Sequence, residues 1–147
     1  MKQKKIAFFC GALIVTICSI APPAQAQVRT NGAKFGFFDL SRPAVGIARE
    51  FGGLSPRLRF NFDGDLVFQS DHWLFADFSL KYFPRTHAEA APYFGGGAGV
   101  NIGDIGGVAA HFVAGLNFRL EHIRMFAEIK AHLDKPDAVS LWVGLRY

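Results

Sequence analysis

Three groups of side chains in this 147-residue chain are of types that do chemistry. The first is His111, His132 and Ser140. Two imidazoles begin a metal site, but a zinc site needs at least a third protein ligand, and none falls beside them. A serine beside a histidine begins a hydrolytic pair, but that chemistry needs an acid to orient the imidazole, and the pattern puts no carboxylate next to it. The second group is Arg119, Arg124, Glu128, Lys130 and Arg146, with Trp142 among them. Charges of both signs at such spacing suit a network of ion pairs. The third is Gly95, Gly97 and Gly99. A phosphate-binding glycine loop must open a helix, and these glycines lie inside a strand pattern, where they leave room for bulky neighbours. The expectation is therefore no catalytic residue, no cofactor and no bound metal. A polar cap formed by His111, His132 and Ser140 and an internal network formed by the charged set fit better.

The elements that carry these residues alternate with period two. Val139, Leu141, Val143, Leu145 and Tyr147 lie on one face, with Ser140, Trp142, Gly144 and Arg146 on the other. Ile123, Met125, Ala127, Ile129, Ala131 and Leu133 alternate with Arg124, Phe126, Glu128, Lys130 and His132. The same holds upstream, where Ala110, Phe112, Ala114, Leu116 and Phe118 alternate with His111, Val113, Gly115, Asn117 and Arg119. Successive side chains of a strand point to opposite faces, so each segment has one charge-free face and one mixed face. The pattern predicts eight strands, over 34–40, 44–52, 57–69, 73–83, 91–102, 107–120, 123–133 and 138–147. Asp63-Gly64 could turn a hairpin, but the alternation keeps its phase through it, which favours one long strand. The links are short, and no helical periodicity competes.

Strand register follows from keeping charge off the apolar face. A two-residue turn at Glu121-His122 pairs Leu120 with Ile123 and, farther along, His111 with His132. For the last hairpin, apolar matching pairs Leu133 with Val139. That register sets Lys130 opposite Trp142, Ser140 opposite His132, Tyr147 opposite Met125, and Glu128 diagonal to Arg146. A turn over 103–107 sets His111 against Gly99.

The first 26 residues read differently. Lys2, Lys4 and Lys5 precede an uncharged apolar run, Ile6 to Ala21, and then Pro22-Pro23-Ala24-Gln25-Ala26. A charged start, an apolar middle and a small-x-small site make a cleavable secretory signal peptide over 1–26, consistent with export by the Sec route. The apolar run has 16 residues, short of the ~20 that a spanning helix needs. Both cysteines, Cys10 and Cys18, lie within it, and neither follows the small residue that lipid attachment requires. The remaining stretch, 27–147, is one domain with 13 Lys and Arg against 12 Asp and Glu, so the basic pI belongs to the leader and gives no reason to expect a nucleic-acid partner.

A sheet with one charge-free face can wrap that face around an apolar ligand, as in a soluble lipocalin-like barrel, or turn it to lipid. The other face mixes charge with Gly, Trp and Phe, as a packed lumen does. Strands of ~10 residues, tilted, span the ~25 Å apolar band of an outer membrane. The runs Pro92-Tyr93-Phe94-Gly95-Gly96-Gly97-Ala98-Gly99-Val100, Val113–Phe118, Phe126-Ala127-Glu128 and Val143-Gly144-Leu145-Arg146-Tyr147 resemble the small outer-membrane β-barrel superfamily, the OmpA- and OmpX-like group. The resemblance covers roughly residues 57–147. It implies an eight-stranded antiparallel up-and-down transmembrane β-barrel of a Gram-negative outer membrane. The role expected of the chain is structural, in membrane integrity or in surface interaction, and since eight strands leave an interior just wide enough for side chains, no wide pore is expected. The resemblance also implies outer-membrane lipids, the assembly machinery and periplasmic chaperones as partners of a monomer, with Val143, Leu145 and Tyr147 as the insertion signal. The soluble ligand-binding barrel and a lipid-modifying barrel enzyme are the alternative readings.

Overall fold

An extended segment cannot satisfy its own backbone N–H and C=O groups, so each strand must pair sideways, and only a closed sheet leaves no edge. The computed structural model of the chain describes residues 30–69, 73–86, 89–103, 106–120, 123–133 and 137–147. The predicted leader, 1–26, lies outside them. The strands are β1 (Thr30–Phe38), β2 (Arg42–Ser55), β3 (Leu58–Val67), β4 (Trp73–Tyr82), β5 (Ala90–Ile102), β6 (Gly107–Leu120), β7 (Ile123–Leu133) and β8 (Ala138–Arg146). Each pairs antiparallel with the next, and β8 pairs back onto β1, so the sheet is a closed eight-stranded up-and-down barrel. The seam runs from Phe37–Leu141 to Gly32–Arg146 and ends in two backbone bonds between Asn31 and Tyr147.

The predicted strands stand, with two shifts at the start. β1 begins at Thr30 rather than 34 and stops at Phe38, because Asp39 and Leu40 take φ of 51° and 53° in the tight turn to β2. β2 runs to Ser55 through a register irregularity after Phe51. Asp63 and Gly64 lie inside β3.

The β6–β7 register is the expected one, from Leu120–Ile123 to Ala110–Leu133. The β7–β8 register is offset by two residues from the expected one. Arg124 faces Arg146, Met125 faces Leu145, Glu128 faces Trp142, Lys130 faces Ser140 and His132 faces Ala138. Likewise His111 faces Gly97 and not Gly99. A slip of one residue would reverse the faces of a strand, whereas a slip of two keeps them. Hydrophobic patterning therefore fixes the phase and cannot sense the two-residue step.

The apolar faces point outward all round the barrel. Phe35, Ile47, Phe94, Phe112, Ile129 and Val143, from six different strands, are each at least 46% exposed. The charged faces point inward, which overturns the lipocalin-like alternative. Among the outward residues of β2, Arg49 is the exception; it lies near the end where β1 begins and β8 ends, with its guanidinium 5.3 Å from the Phe51 ring. A long cationic side chain there can reach an interface along its apolar stem.

The interior is layered along the barrel axis. At the end carrying the 39–41 turn, Phe38, Ala44, Val67, Trp73, Phe75, Ala138 and Trp142 form an apolar plug. Phe38 stacks on Phe75 at 4.9 Å and meets Trp73 edge-on at 6.0 Å. Below the plug lies a charged layer, and at the end carrying both β1's start and β8's finish the lumen opens.

Candidate functional site: the barrel interior

The charged layer is built from inward positions of β1, β3, β4 and β7. Lys34 Nζ lies 3.0 Å from Asp63 and 2.8 Å from Asp65. Lys130 Nζ, fully buried, donates to Asp77 at 2.9 Å and to Asp63 at 3.1 Å. Lys81 bonds Glu128 at 2.5 Å, and the Tyr93 hydroxyl donates to the same carboxylate oxygen at 2.7 Å. Toward the open end, Glu50 is held between Arg59 at 2.6 Å and Arg146 at 2.8 Å. These contacts join five cations, Lys34, Arg59, Lys81, Lys130 and Arg146, to five carboxylates, Glu50, Asp63, Asp65, Asp77 and Glu128. A buried charge is tolerated only with a close partner, so an equal count of both signs is what a narrow lumen demands.

Aromatic rings fill the gaps between ion pairs, and each lies over a glycine on the neighbouring strand. Tyr93 faces Gly115, Phe126 faces Gly144 and Trp142 faces Gly36. A Cβ at Gly115 would come within 2.5 Å of the Tyr93 ring, and one at Gly36 within 2.9 Å of the Trp142 ring. Lys34 Nζ sits 4.4 Å from the Trp142 ring, adding a cation–π contact to its two carboxylates.

Of the residues singled out from the sequence, Glu128, Lys130, Trp142 and Arg146 are buried inside. Glu128 does not meet Arg146, because the two-residue register offset sets it opposite Trp142 and leaves Arg146 to Glu50. Arg119 and Arg124 face each other across β6–β7, but they are exposed at the open mouth and belong to no ion pair of the described residues. The sequence did not single out Lys34, Glu50, Asp63, Asp65, Asp77, Lys81 and Tyr93 as network members. The alternation put Asp63, Asp65, Asp77 and Lys81 on the mixed face. Their partners lie across the lumen, 67 residues away in the case of Asp63 and Lys130, and chain-neighbour pairing says nothing about such distances.

His111 and His132 are opposite each other as expected, with ring centres 6.1 Å apart. Each is engaged separately: His111 Nε2 with the Ser79 hydroxyl at 2.8 Å, His132 Nε2 with the Ser140 hydroxyl at 3.1 Å. Among the described residues no three His, Cys, Asp or Glu side chains converge as metal ligands. The Ser140 hydroxyl is fully buried, and the Phe38 and Phe75 rings lie 5.3 and 5.7 Å from the His132 ring on the plug side. A serine so enclosed offers no approach for an acyl substrate.

At the open end the lumen widens into a vestibule of about 1340 Å³ bounded by β2–β3, residues 83–86 with Glu89, and the ends of β6, β7 and β8. Its wall is rich in arginine: Arg57, Arg59, Arg85, Arg119, Arg124 and Arg146, against Glu50 and Glu89.

No family profile and no curated protein sequence matches the chain. Solved structures do. A de novo designed transmembrane β-barrel is similar at a TM-score of 0.63 and 15% identity, over 85% of this chain and 98% of the design. The N-terminal β-barrel domain of Pseudomonas aeruginosa OprF is similar at 0.62 and 18% identity, over 84% of this chain and all of that domain. The Yersinia pestis outer-membrane protein Ail is similar at 0.53 and 12% identity, over 81% and 99% of the two chains. The fold is that of the small eight-stranded outer-membrane barrels.

Proposed function

We propose that the chain is an integral β-barrel of a bacterial outer membrane whose role is structural, in support of membrane integrity, without catalysis and without a wide pore. The observation that carries this reading is the reversal of inside and outside. Large apolar side chains are exposed round the whole circumference, while Lys34, Lys81, Lys130, Asp63 and Asp77 are buried inside. Such a surface would drive aggregation in water and is stable in lipid, where a closed barrel satisfies every strand edge. The lumen is filled twice over, by the aromatic plug and by the ion-pair layer. An eight-stranded barrel is just wide enough for side chains, which agrees with a solid interior. Surface interaction has less to work with, since the turn between β1 and β2 is only 39–41.

Cell fractionation tests the location. The protein should sediment with the outer membrane and migrate faster in gel electrophoresis without boiling than after it. Recovery in the soluble periplasmic fraction with no heat shift would overturn the reading.

A further inference from the structure

The ion-pair layer is balanced within itself, and this leaves the described residues of the vestibule wall out of balance. The pairs use up Arg59, Arg146 and Glu50. Arg57, Arg85, Arg119 and Arg124 remain on the wall with Glu89 as the one further carboxylate among the described lining residues. Arg119 and Arg124 stand at lumen-phase positions of β6 and β7, in step with Asn117 and Phe126, so their side chains leave the backbone on the inner side, away from the lipid-facing surface, and Arg57, in the turn before β3, lines the same wall. A second observation points the same way. Arg146 is 8% exposed and lines the vestibule, with its guanidinium 4.7 Å from the Phe126 ring; its Nη1 bonds Glu50, but its Nη2 is buried with no hydrogen-bond partner. A buried guanidinium N–H without an acceptor is costly, and an anionic oxygen at this spot would satisfy it. Guanidinium forks bind phosphate-type oxygens in pairs. The space is also larger than one such group fills, since small-ligand sites run to roughly 300–1,000 Å³.

We propose that the vestibule binds a soluble multivalent oxyanion, a ligand with several neighbouring phosphate groups of the polyphosphate kind. The guanidinium groups of Arg57, Arg119 and Arg124 hold it from the rim, and Arg146 Nη2 meets it at the floor. That the mouth faces the periplasm rests on the outer-membrane reading above; the binding itself does not.

The test is calorimetric titration of the 27–147 chain, folded in zwitterionic micelles, with sodium tripolyphosphate and with orthophosphate at matched ionic strength. Tripolyphosphate should bind saturably and tighter than orthophosphate by about tenfold or more. Arg57→Gln with Arg124→Gln, both outside the ion-pair layer, should weaken it by at least about tenfold while retaining the heat-dependent gel shift. Arg42→Gln, at the opposite end over the Trp73 ring, should leave it unchanged. Equal weakening by both variants, or no difference between the two phosphates, would overturn the site in favour of general charge attraction. Repeating the titration in nanodiscs separates a luminal ligand from the membrane's own phosphates. Binding should persist when phosphatidylglycerol is added to the lipid, and its abolition would mean that the arginines face headgroups and that the luminal site is wrong.

Discussion

At the scale of single residues, the interior is held by pairs whose members are far apart in the chain. Lys130 serves Asp63 and Asp77 at once with no access to water. Lys130→Met would leave two buried carboxylates without their main partner, and should cost about 3–5 kcal/mol in urea unfolding from lipid vesicles, the usual penalty for breaking a buried pair. A loss under 1 kcal/mol would mean that Lys34 alone can carry both aspartates. The pairing of Glu128 is open to a sharper comparison. Its partners are Lys81 and Tyr93, and Arg146 belongs to Glu50. Double-mutant cycles should therefore give coupling of at least about 1 kcal/mol for Glu128→Ala with Lys81→Met, and near-additivity for Glu128→Ala with Arg146→Met. The opposite ranking would mean that the lumen pairs differently in the membrane.

At the scale of strands, each element reads two solvents. Ala127 lies on the outer face of β7, opposite Leu116 and Val143. Ala127→Arg should cost about 2–4 kcal/mol if it sits near the bilayer midplane. Refolding titrations into vesicles measure this, and an unchanged midpoint would mean that the outer face does not meet lipid. The last strand has a further feature. Val143, Leu145 and Tyr147 point outward, and Tyr147 is 79% exposed while its backbone closes the seam with Asn31. In the closed barrel the β8 edge is occupied by β1, so an assembly partner could pair with it only before closure. Deleting Tyr147 should lower the folded protein in the outer membrane of cells while sparing spontaneous refolding into detergent. Wild-type levels in cells would make it one more interfacial aromatic residue.

At the scale of the whole molecule, the barrel is a cup. Phe38, Trp73 and Phe75 close one end, the ion pairs fill the middle, and the arginine-lined vestibule opens the other. Vesicles carrying the protein should therefore show no swelling with small neutral sugars. Swelling at porin-like rates would mean that the plug and the ion pairs do not block the lumen.

Much of this architecture was already written in the order of residues. Period-two alternation specified strands and the phase of nearly every one, because a single-residue slip in β6 or β7 would put Lys130 or Arg124 on the charge-free face. The same alternation named Asp63, Asp65, Asp77, Lys81, Glu128 and Lys130 as residues of one face. It could not say whether that face was inside or outside, since an alternating strand looks the same to either solvent; only the way the closed sheet curls, with Lys34, Asp63 and Lys130 buried and Phe35 and Phe112 exposed, decides that. Nor could it choose among registers that differ by two residues, which keep every face and change every partner, so apolar matching sets Arg146 diagonal to Glu128 although Arg146 pairs with Glu50. Contacts across the lumen depend on the diameter and stagger of the closed sheet, quantities that belong to all eight strands together. The sequence by itself determined which side chains share a face; the tertiary structure alone determined which of them meet.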